Sequence, residues 1–424
     1  MTDADQPRHR VGRRRLVQGA AGGLAAGAAI GLGAGWGAGS ASAAGAPDDH
    51  DTVDLSTQHP FYDEARPAGI KTPQQRYAVY MTFDLAQGAL RSDLQVLLAR
   101  WTAAIAQLMK GAPIGQVDSV RPGAIGQDTG EAAGLDAASL TVTVGLGPGL
   151  FDERFGLSSK KPALLADLPA LPSDNLVAAS SGGDLSLQAC ADDPQVAYHA
   201  VRNLARMVRG TATTRWAVLG FGRASAGKGQ ETPRNLLGFK DGTRNLRSDA
   251  DYDEFVWVDD ASEQAWLRGG TYQVVRKISM NIEVWDADPI NDQQSIFGRT
   301  KNVGAPLTGH GEFDTPNFHS RTATGKTVIP ADSHVALAAH ENNGGVKIMR
   351  RGYNYTEGIN GFGQLDAGLL FIAYMSTPQD FVTLQSKLGA SDRLNEYISH
   401  IGSGLFAVPP APKSGHYIGE QLFA

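Results

Sequence analysis

Three residue types that could act together on a small oxidant stand out by their setting. In Asn235–Asn245, N-L-L-G-F-K-D-G-T-R-N, the lone carboxylate of Asp241 lies between Gly238 and Gly242. Glycines there let the backbone turn at positive φ and bring main chain close to a bulky flat ligand. The same letters also fit a plain Asp-Gly turn with Phe239 plugging the core beneath it. Later in the chain, Asp332-Ser333-His334 is followed by I-M-R-R-G-Y over Ile348–Tyr353, which supplies an imidazole and an arginine pair. A carboxylate can take and return a proton, an imidazole can ligate a metal, and a guanidinium can stabilise developing negative charge. That is the minimum set for a haem peroxidase.

Further motifs narrow the reading. The chain carries G-x-x-D-G at Gly238–Gly242, W-L-R-G-G-T-Y-Q-V-V-R at Trp266–Arg276 and G-R-T-K-x-x-G-A-P-L at Gly298–Leu307. It continues with D-S-H ending at His334, R-R-G-Y-N-Y at Arg350–Tyr355 and G-L-L-F-I-A-Y at Gly368–Tyr374. On these residues the chain resembles the dye-decolourising peroxidases, and among them the twin-arginine-exported branch that includes bacterial deferrochelatase/peroxidases. The resemblance implies an α+β fold in which two ferredoxin-like units form a dimeric α+β barrel-type structure. It implies one haem b per chain, reducing hydrogen peroxide to water through a ferryl intermediate while a dye-like, phenolic, other small-molecule or protein reductant is oxidised. The alternative within the same branch is a haem-handling deferrochelatase that releases iron from haem. A rival of another class is a cofactor-free secreted binding domain on the same duplicated unit.

The roles follow from the resemblance residue by residue. His334 matches the proximal metal ligand, and Asp392 is the expected carboxylate behind it, with Glu396 close enough in sequence to compete. Such a partner raises imidazole basicity. Asp241 matches the distal acid/base; an aspartate ionises near about pH 4 in water, so an acidic optimum is expected. Arg350 matches the distal guanidinium, whereas Arg351, of opposite strand parity, should face away from iron. Asn245 is expected to orient peroxide or water, and Phe371 to form an apolar wall over the haem. Gly242 lets main chain approach the cofactor, while Arg299 and Lys301, with Arg244 a third, are expected at the propionates. Bulky reductants would be oxidised at the surface through tyrosine or tryptophan, with Tyr353 and Tyr374 the nearest in sequence. Among the ten histidines, His199 reads as a helix-packing residue, and His310, His319, His340, His400 and His416 carry no accompanying arginine or carboxylate motif. The segment Ala339–Gly345 departs from the commonest branch in length and sequence.

These side chains need a scaffold, and hydrophobic periodicity supplies one. Tyr77–Phe83 alternates as a strand, and Leu90–Met109 places Leu94, Leu97, Leu98, Trp101, Ile105 and Leu108 at helical spacing. Strands over Leu140–Leu146 and Asp184–Cys190, a helix over Pro194–Val208 and a strand over Thr214–Phe221 complete a β-α-β-β-α-β unit, the ferredoxin-like order. The second half repeats it: a strand over Gly270–Ile278, helical pattern over Ser279–Trp285 and Asp292–Phe297, and a short helical piece over His334–Ala339. Strands over Val346–Tyr353 and Leu369–Met375, a helix over Asp380–Leu388 and a strand over Gly404–Val408 follow. The expected division is 1–43 leader, 44–75 irregular arm, 76–222 N-terminal unit and 223–424 C-terminal haem-binding unit.

At 424 residues the chain exceeds one ordinary core. With 42% apolar and 19% charged residues it is globular, and a net charge of −6 offers no footprint for nucleic acid. Arg13-Arg14-Arg15-Leu16-Val17 fits the twin-arginine pattern and precedes an uncharged Ala/Gly-rich run ending at Ala41-Ser42-Ala43. Cleavage there, export to the periplasm, cell envelope or exterior, and no stable membrane anchor afterwards are expected; an oligomer is compatible with the sequence. The single cysteine, Cys190, excludes a disulfide within the chain and reads as a small buried hydrophobe. Gly222-x4-Gly227-Lys228 imitates a phosphate-binding loop, but Gly229 stands where Ser or Thr must hold magnesium.

Overall fold

The computed structural model describes residues 53–121, 123–222 and 231–424. These belong to one compact unit, His50–Ala424. The leader, the first residues of the arm and most of the phosphate-loop imitation, Lys228 and Gly229 included, lie outside the described residues.

The first half runs β1 (Tyr77–Leu85), α1 (Arg91–Leu108), β2 (Thr141–Leu146), β3 (Leu185–Ala191), α2 (Pro194–Met207) and β4 (Ala212–Phe221). Helix α1 starts where the Asp93 carboxylate accepts the Leu90 amide, 2.9 Å away. Its Leu94, Leu97, Leu98, Trp101 and Ile105 stripe is buried, as the periodicity requires. Helix α2 begins at Pro194, with Asp193 capping the Gln195 and Val196 amides. Every residue of β2 and β3 is buried. The strands are apolar on the face under the helices and polar on the other, where Gln188 and Tyr80 join a hydrogen-bonded set with Gln273 and Tyr374.

The second half contains α3 (Asp249–Phe255), β5 (Thr271–Met280), α4 (Ile282–Asp286), α5 (Ile290–Phe297), α6 (His334–Ala338), β6 (Met349–Arg350), β7 (Tyr353–Ile359), β8 (Leu365–Met375), α7 (Pro378–Ser391) and β9 (Ile398–Val408). In each half the first and third strands lie between the fourth and the second, the ferredoxin-like order: β4-β1-β3-β2, and β9-β5-β8-β7. The two four-stranded sheets join through β2–β9, at Leu146 opposite Ala407, and through β4–β7, at Gly220 opposite Tyr355 and Phe221 opposite Asn354. With β5 also paired to β8, the sheet closes into an antiparallel barrel.

Two elements differ from the expected pattern. Helix α3 is short, fixed by the Ser248 side chain capping the Asp251 amide, and is too brief for a periodic signal. The strand expected over Val346–Tyr353 is interrupted: β6 and β7 lie on the same edge of β8 in one register, joined through Arg351, whose amide still donates to the Ile372 carbonyl at 2.7 Å, and Gly352. Cys190 is fully buried beside Ala78 and Tyr353, consistent with its reading as a small hydrophobe.

Candidate active site

Between the outer face of β5, β8 and β9 and the helices α6 and α7 lies a cleft of about 240 Å³. His334 enters it as the first residue of α6, whose preceding turn is fixed by Ser333 Oγ donating to the Pro330 carbonyl at 2.7 Å. The imidazole Nδ1 lies 2.6 Å from Asp392 Oδ2. Asp392 sits just past α7 with its side chain only 2% exposed, and its other oxygen accepts the Leu394 amide at 2.9 Å. Asp392, not Glu396, therefore backs the histidine. Burial disfavours the imidazolium, yet the Asp392 carboxylate outweighs it and holds the His334 pKa above the ordinary histidine value. With Nδ1 committed, Nε2 is the nitrogen left to face the cleft, where no described residue bonds it.

Asp241 is presented as its sequence suggests. Gly238 and Gly242 both take positive φ, 84° and 121°, and the Asp241 amide donates to the Pro233 carbonyl at 2.8 Å. Phe239 is indeed buried beneath this turn, stacked on Phe297 with ring centres 3.9 Å apart. Arg350, at the end of β6, reaches across with Nη1 2.5 Å from Asp241 Oδ1. Both side chains remain partly exposed and both border the cleft.

Asn245 does something other than expected. Its Oδ1 accepts the Arg350 amide at 2.8 Å and its Nδ2 donates to the Arg350 carbonyl at 2.7 Å. Both ends of the amide are used on main chain, so it is not free to orient peroxide; it is a clamp on Arg350 and lies outside the cleft wall, on an adjoining polar cavity.

Phe371 and Leu369 from β8 and Ile278 and Met280 from β5 form the apolar wall, and Gly242 borders the same space. Arg299 is buried at the cleft's polar end, with Nη1 donating to the Gly304 and Glu312 carbonyls at 2.5 and 2.9 Å. Arg244 stands beside it, paired through both terminal nitrogens with Glu341 at 3.0 and 2.7 Å. Lys301 does not join them. Its ammonium donates to Gln293 Oε1 at 2.8 Å and lies 5.7 and 5.8 Å from the ring centres of Phe239 and Trp285. That cation–π and amide setting satisfies it behind the wall, so the expected propionate role is withdrawn.

The structure also brings in residues that had no role assigned from the sequence. Arg276, buried on β5, lines the cleft with its charge met by Asp174. His340 and His400, set aside for lack of a motif, both border the cleft. His400 is buried, its Nε2 3.2 Å from Gln385 Nε2, and burial followed by the nearby Arg276 guanidinium pushes its pKa down to about 3. A basic partner such as Asp392 is what separates His334 from it. Tyr353 and Tyr374 are both fully buried, and the Tyr374 hydroxyl is engaged by Gln188 and Gln273. Neither reaches the surface, so neither is itself a point at which a bulky reductant would meet the protein.

Among the described residues no group of three or more His, Cys, Asp or Glu could hold a bare metal ion. One carboxylate-backed imidazole, broad apolar walls and arginines at one end instead suit a metal that brings its own flat macrocycle with acidic substituents. The residues present fit haem.

Comparison with known proteins agrees. The pattern described as Dyp-type peroxidase, N-terminal, matches residues 67–222, and that described as Dyp-type peroxidase, C-terminal, matches residues 232–413. The chain belongs to the Dyp-type peroxidase family. Among relatives of this Dyp-type peroxidase, a Deferrochelatase of Yersinia pseudotuberculosis is 40% identical over 391 residues, covering 89% of this chain and 88% of that protein. A Deferrochelatase of Escherichia coli K12 is 40% identical over 376 residues, covering 86% and 87%. Among solved structures, a DyP-type peroxidase from Streptomyces coelicolor superposes with a TM-score of 0.81 at 37% identity, covering 87% of this chain and 97% of that one. Ferric DtpA from Streptomyces lividans gives the same TM-score and identity over 87% and 98%. As a member of this family the chain is a haem-dependent peroxidase, an oxidoreductase acting on hydrogen peroxide and a reductant.

Proposed function

We propose that the cleft binds one haem b, whose metal His334 Nε2 would hold and whose acidic substituents Arg299 and Arg244 would meet. The observation that carries this is the convergence on one cleft of a carboxylate-backed imidazole with the Arg350–Asp241 pair. When bound, haem supplies the iron at which peroxide gains two electrons. Asp241 would take a proton from one oxygen of hydrogen peroxide and return it to the other, which would leave as water. Arg350 stabilises the negative charge that grows as the O–O bond lengthens. Asn245 keeps that guanidinium in place through the Arg350 main chain. Apolar Phe371 and Leu369 restrict water around the reacting atoms. The reductant is a dye-like, phenolic or other donor.

A stopped-flow absorbance spectrum of haem-loaded protein with one equivalent of peroxide tests the reading. A fast change of the Soret band is expected in the wild type and its loss in His334→Ala; no change in the wild type overturns it. Because the relatives cited are named Deferrochelatase, a second reading is removal of iron from haem by the same cleft. Iron-free porphyrin fluorescence accumulating on incubation with haem supports that second reading, and its absence under reducing conditions counts against it.

We also propose export by the twin-arginine route, on the strength of Arg13-Arg14-Arg15-Leu16-Val17 and the Ala41-Ser42-Ala43 cleavage pattern. No helix among the described residues is long and apolar enough to cross a membrane. The exported protein should begin at Ala44, read by N-terminal sequencing of the product from a host with a working twin-arginine system; an unprocessed chain held in the cytoplasm sinks this proposal.

A further inference from the structure

The segment before β1 reads as an irregular arm, and its described part, residues 53–75, contains neither helix nor strand. It is nonetheless fixed. Ile70 is fully buried, the Ala68 carbonyl accepts from Thr143 Oγ1 on β2 at 2.9 Å, and the Gly69 carbonyl accepts from Gln188 Nε2 on β3 at 3.2 Å. Gly69 has φ +87°, and a Cβ there would lie 2.4 Å from Thr143 Oγ1, so only glycine permits this approach.

Where the arm ends it meets the residues just after Arg350. Arg351 is 1% exposed and has no carboxylate among its hydrogen-bond partners. Its guanidinium donates to the Thr72 carbonyl at 2.6 Å, the Pro73 carbonyl at 3.1 Å and the Gln75 side-chain oxygen. Gln75, itself buried, donates onward to the Ser139 carbonyl at 2.7 Å. Gln74 Nε2 donates to the Gly352 carbonyl at 2.6 Å. A buried cation is tolerable only if its protons are met, and here the acceptors of both terminal nitrogens come from the arm, while Nε has none among the described residues and Tyr353 and Cys190 lie beside the group. Between β6 and β7 the Arg351 amide still donates to the Ile372 carbonyl of β8 at 2.7 Å, but Arg351 and Gly352 belong to neither strand, so the arm adds its hold where strand pairing is thinnest.

We propose that the arm, through Gln74, Gln75 and the Thr72 and Pro73 carbonyls, is a positioning element for Arg350. It is the second jaw of a grip whose first jaw is Asn245. The inference rests on Arg350 acting on peroxide, and it adds that the first half of the chain sets that guanidinium through the arm. Without the arm's acceptors, Arg351 would turn toward water, Gly352 would follow, and Arg350 would lose its alignment with Asp241. A displacement of this kind, remote from the reacting atoms, is enough to slow a reaction by an order of magnitude or more.

The test uses haem-loaded full-length protein and five variants: Gln75→Leu, Gln74→Ala, Gln75→Glu, Arg66→Ala and Arg350→Leu. Gln75→Leu is expected to slow the reaction with peroxide about tenfold and Gln74→Ala a few-fold. Both should speed hydrogen exchange at the Arg350 amide, with the absorption spectrum of the bound haem and KM for the reductant unchanged. Gln75→Glu retains an oxygen for Arg351 and should recover most of the rate, which a general loss of stability would not produce. Arg66→Ala removes only the arm's surface contacts with Asp253 and Trp257 and should leave rate and exchange as in the wild type. If Gln75→Leu does not fold, Gln74→Ala decides. Wild-type rate and exchange in the glutamine variants, with activity lost in Arg350→Leu, overturns the inference; full activity in Arg350→Leu overturns the reading of the site instead.

Discussion

Haem-loaded Asp241→Asn protein should react with hydrogen peroxide about 10²–10⁴-fold more slowly than the wild type, the usual worth of a positioned acid/base. The substitution is nearly isosteric. Its amide oxygen can still accept from Arg350 Nη1, and the turn that presents residue 241 depends on Gly238, Gly242 and the Pro233 carbonyl rather than on the carboxylate. What is lost is the ability to take a proton and give it back. Haem content should be unchanged, because the residues that fit the metal and the propionates are others. Measured as the second-order rate of the Soret change, a loss of less than about threefold would mean that another group moves the proton, and Asp241 would become a mere anchor for Arg350.

His334→Ala should have the other large effect: a protein that loads haem poorly, with an altered Soret band and no fast reaction with peroxide. The cleft holds two further imidazoles, so the experiment discriminates. His400 is buried beside the Arg276 guanidinium and is weakly basic, its pKa pushed down to about 3 by burial first and Arg276 second. His340 is drawn to Glu341 and Arg244 at the rim. His400 has no such carboxylate, and the Glu341 beside His340 is 3.4 Å away with both its oxygens bound by Arg244, so neither matches the buried Asp392 behind His334. Asp392→Asn should accordingly weaken haem binding about 10–100-fold, the range for removing a partner behind a metal ligand, whereas His400→Ala should leave the spectrum alone. A wild-type spectrum in His334→Ala would transfer the axial role to another residue.

The family and the ferredoxin-like duplication were legible in the chain, and so were the residues proposed for the site, because they rest on local information. Glycines around Asp241 announce a turn at positive φ, and both glycines adopt one. Alternation and helical spacing located the strands and helices that carry His334, Arg350 and Phe371, and strand parity sent Arg351 away from the cleft. Local patterns cannot say what a side chain meets from another part of the chain. Asn245 was read as facing peroxide, but both its polar atoms are taken by the main chain of residue 350. Lys301 sits in the same motif as Arg299 and still points behind the wall, into Gln293 and two aromatic faces. Tyr353 and Tyr374 were near in sequence and turned out to be sealed in the core.

The amino-acid sequence by itself determined which groups exist to do chemistry and which element bears each, since residue type and short-range periodicity are properties of neighbours in the chain. Barrel closure decided the rest: that Asp392 rather than Glu396 backs His334, that Arg276 and His400 border the cleft, and that the arm at residues 72–75 grips Arg351. Those outcomes depend on register between strands far apart in sequence and on where buried donors find acceptors. A one-dimensional pattern fixes neither.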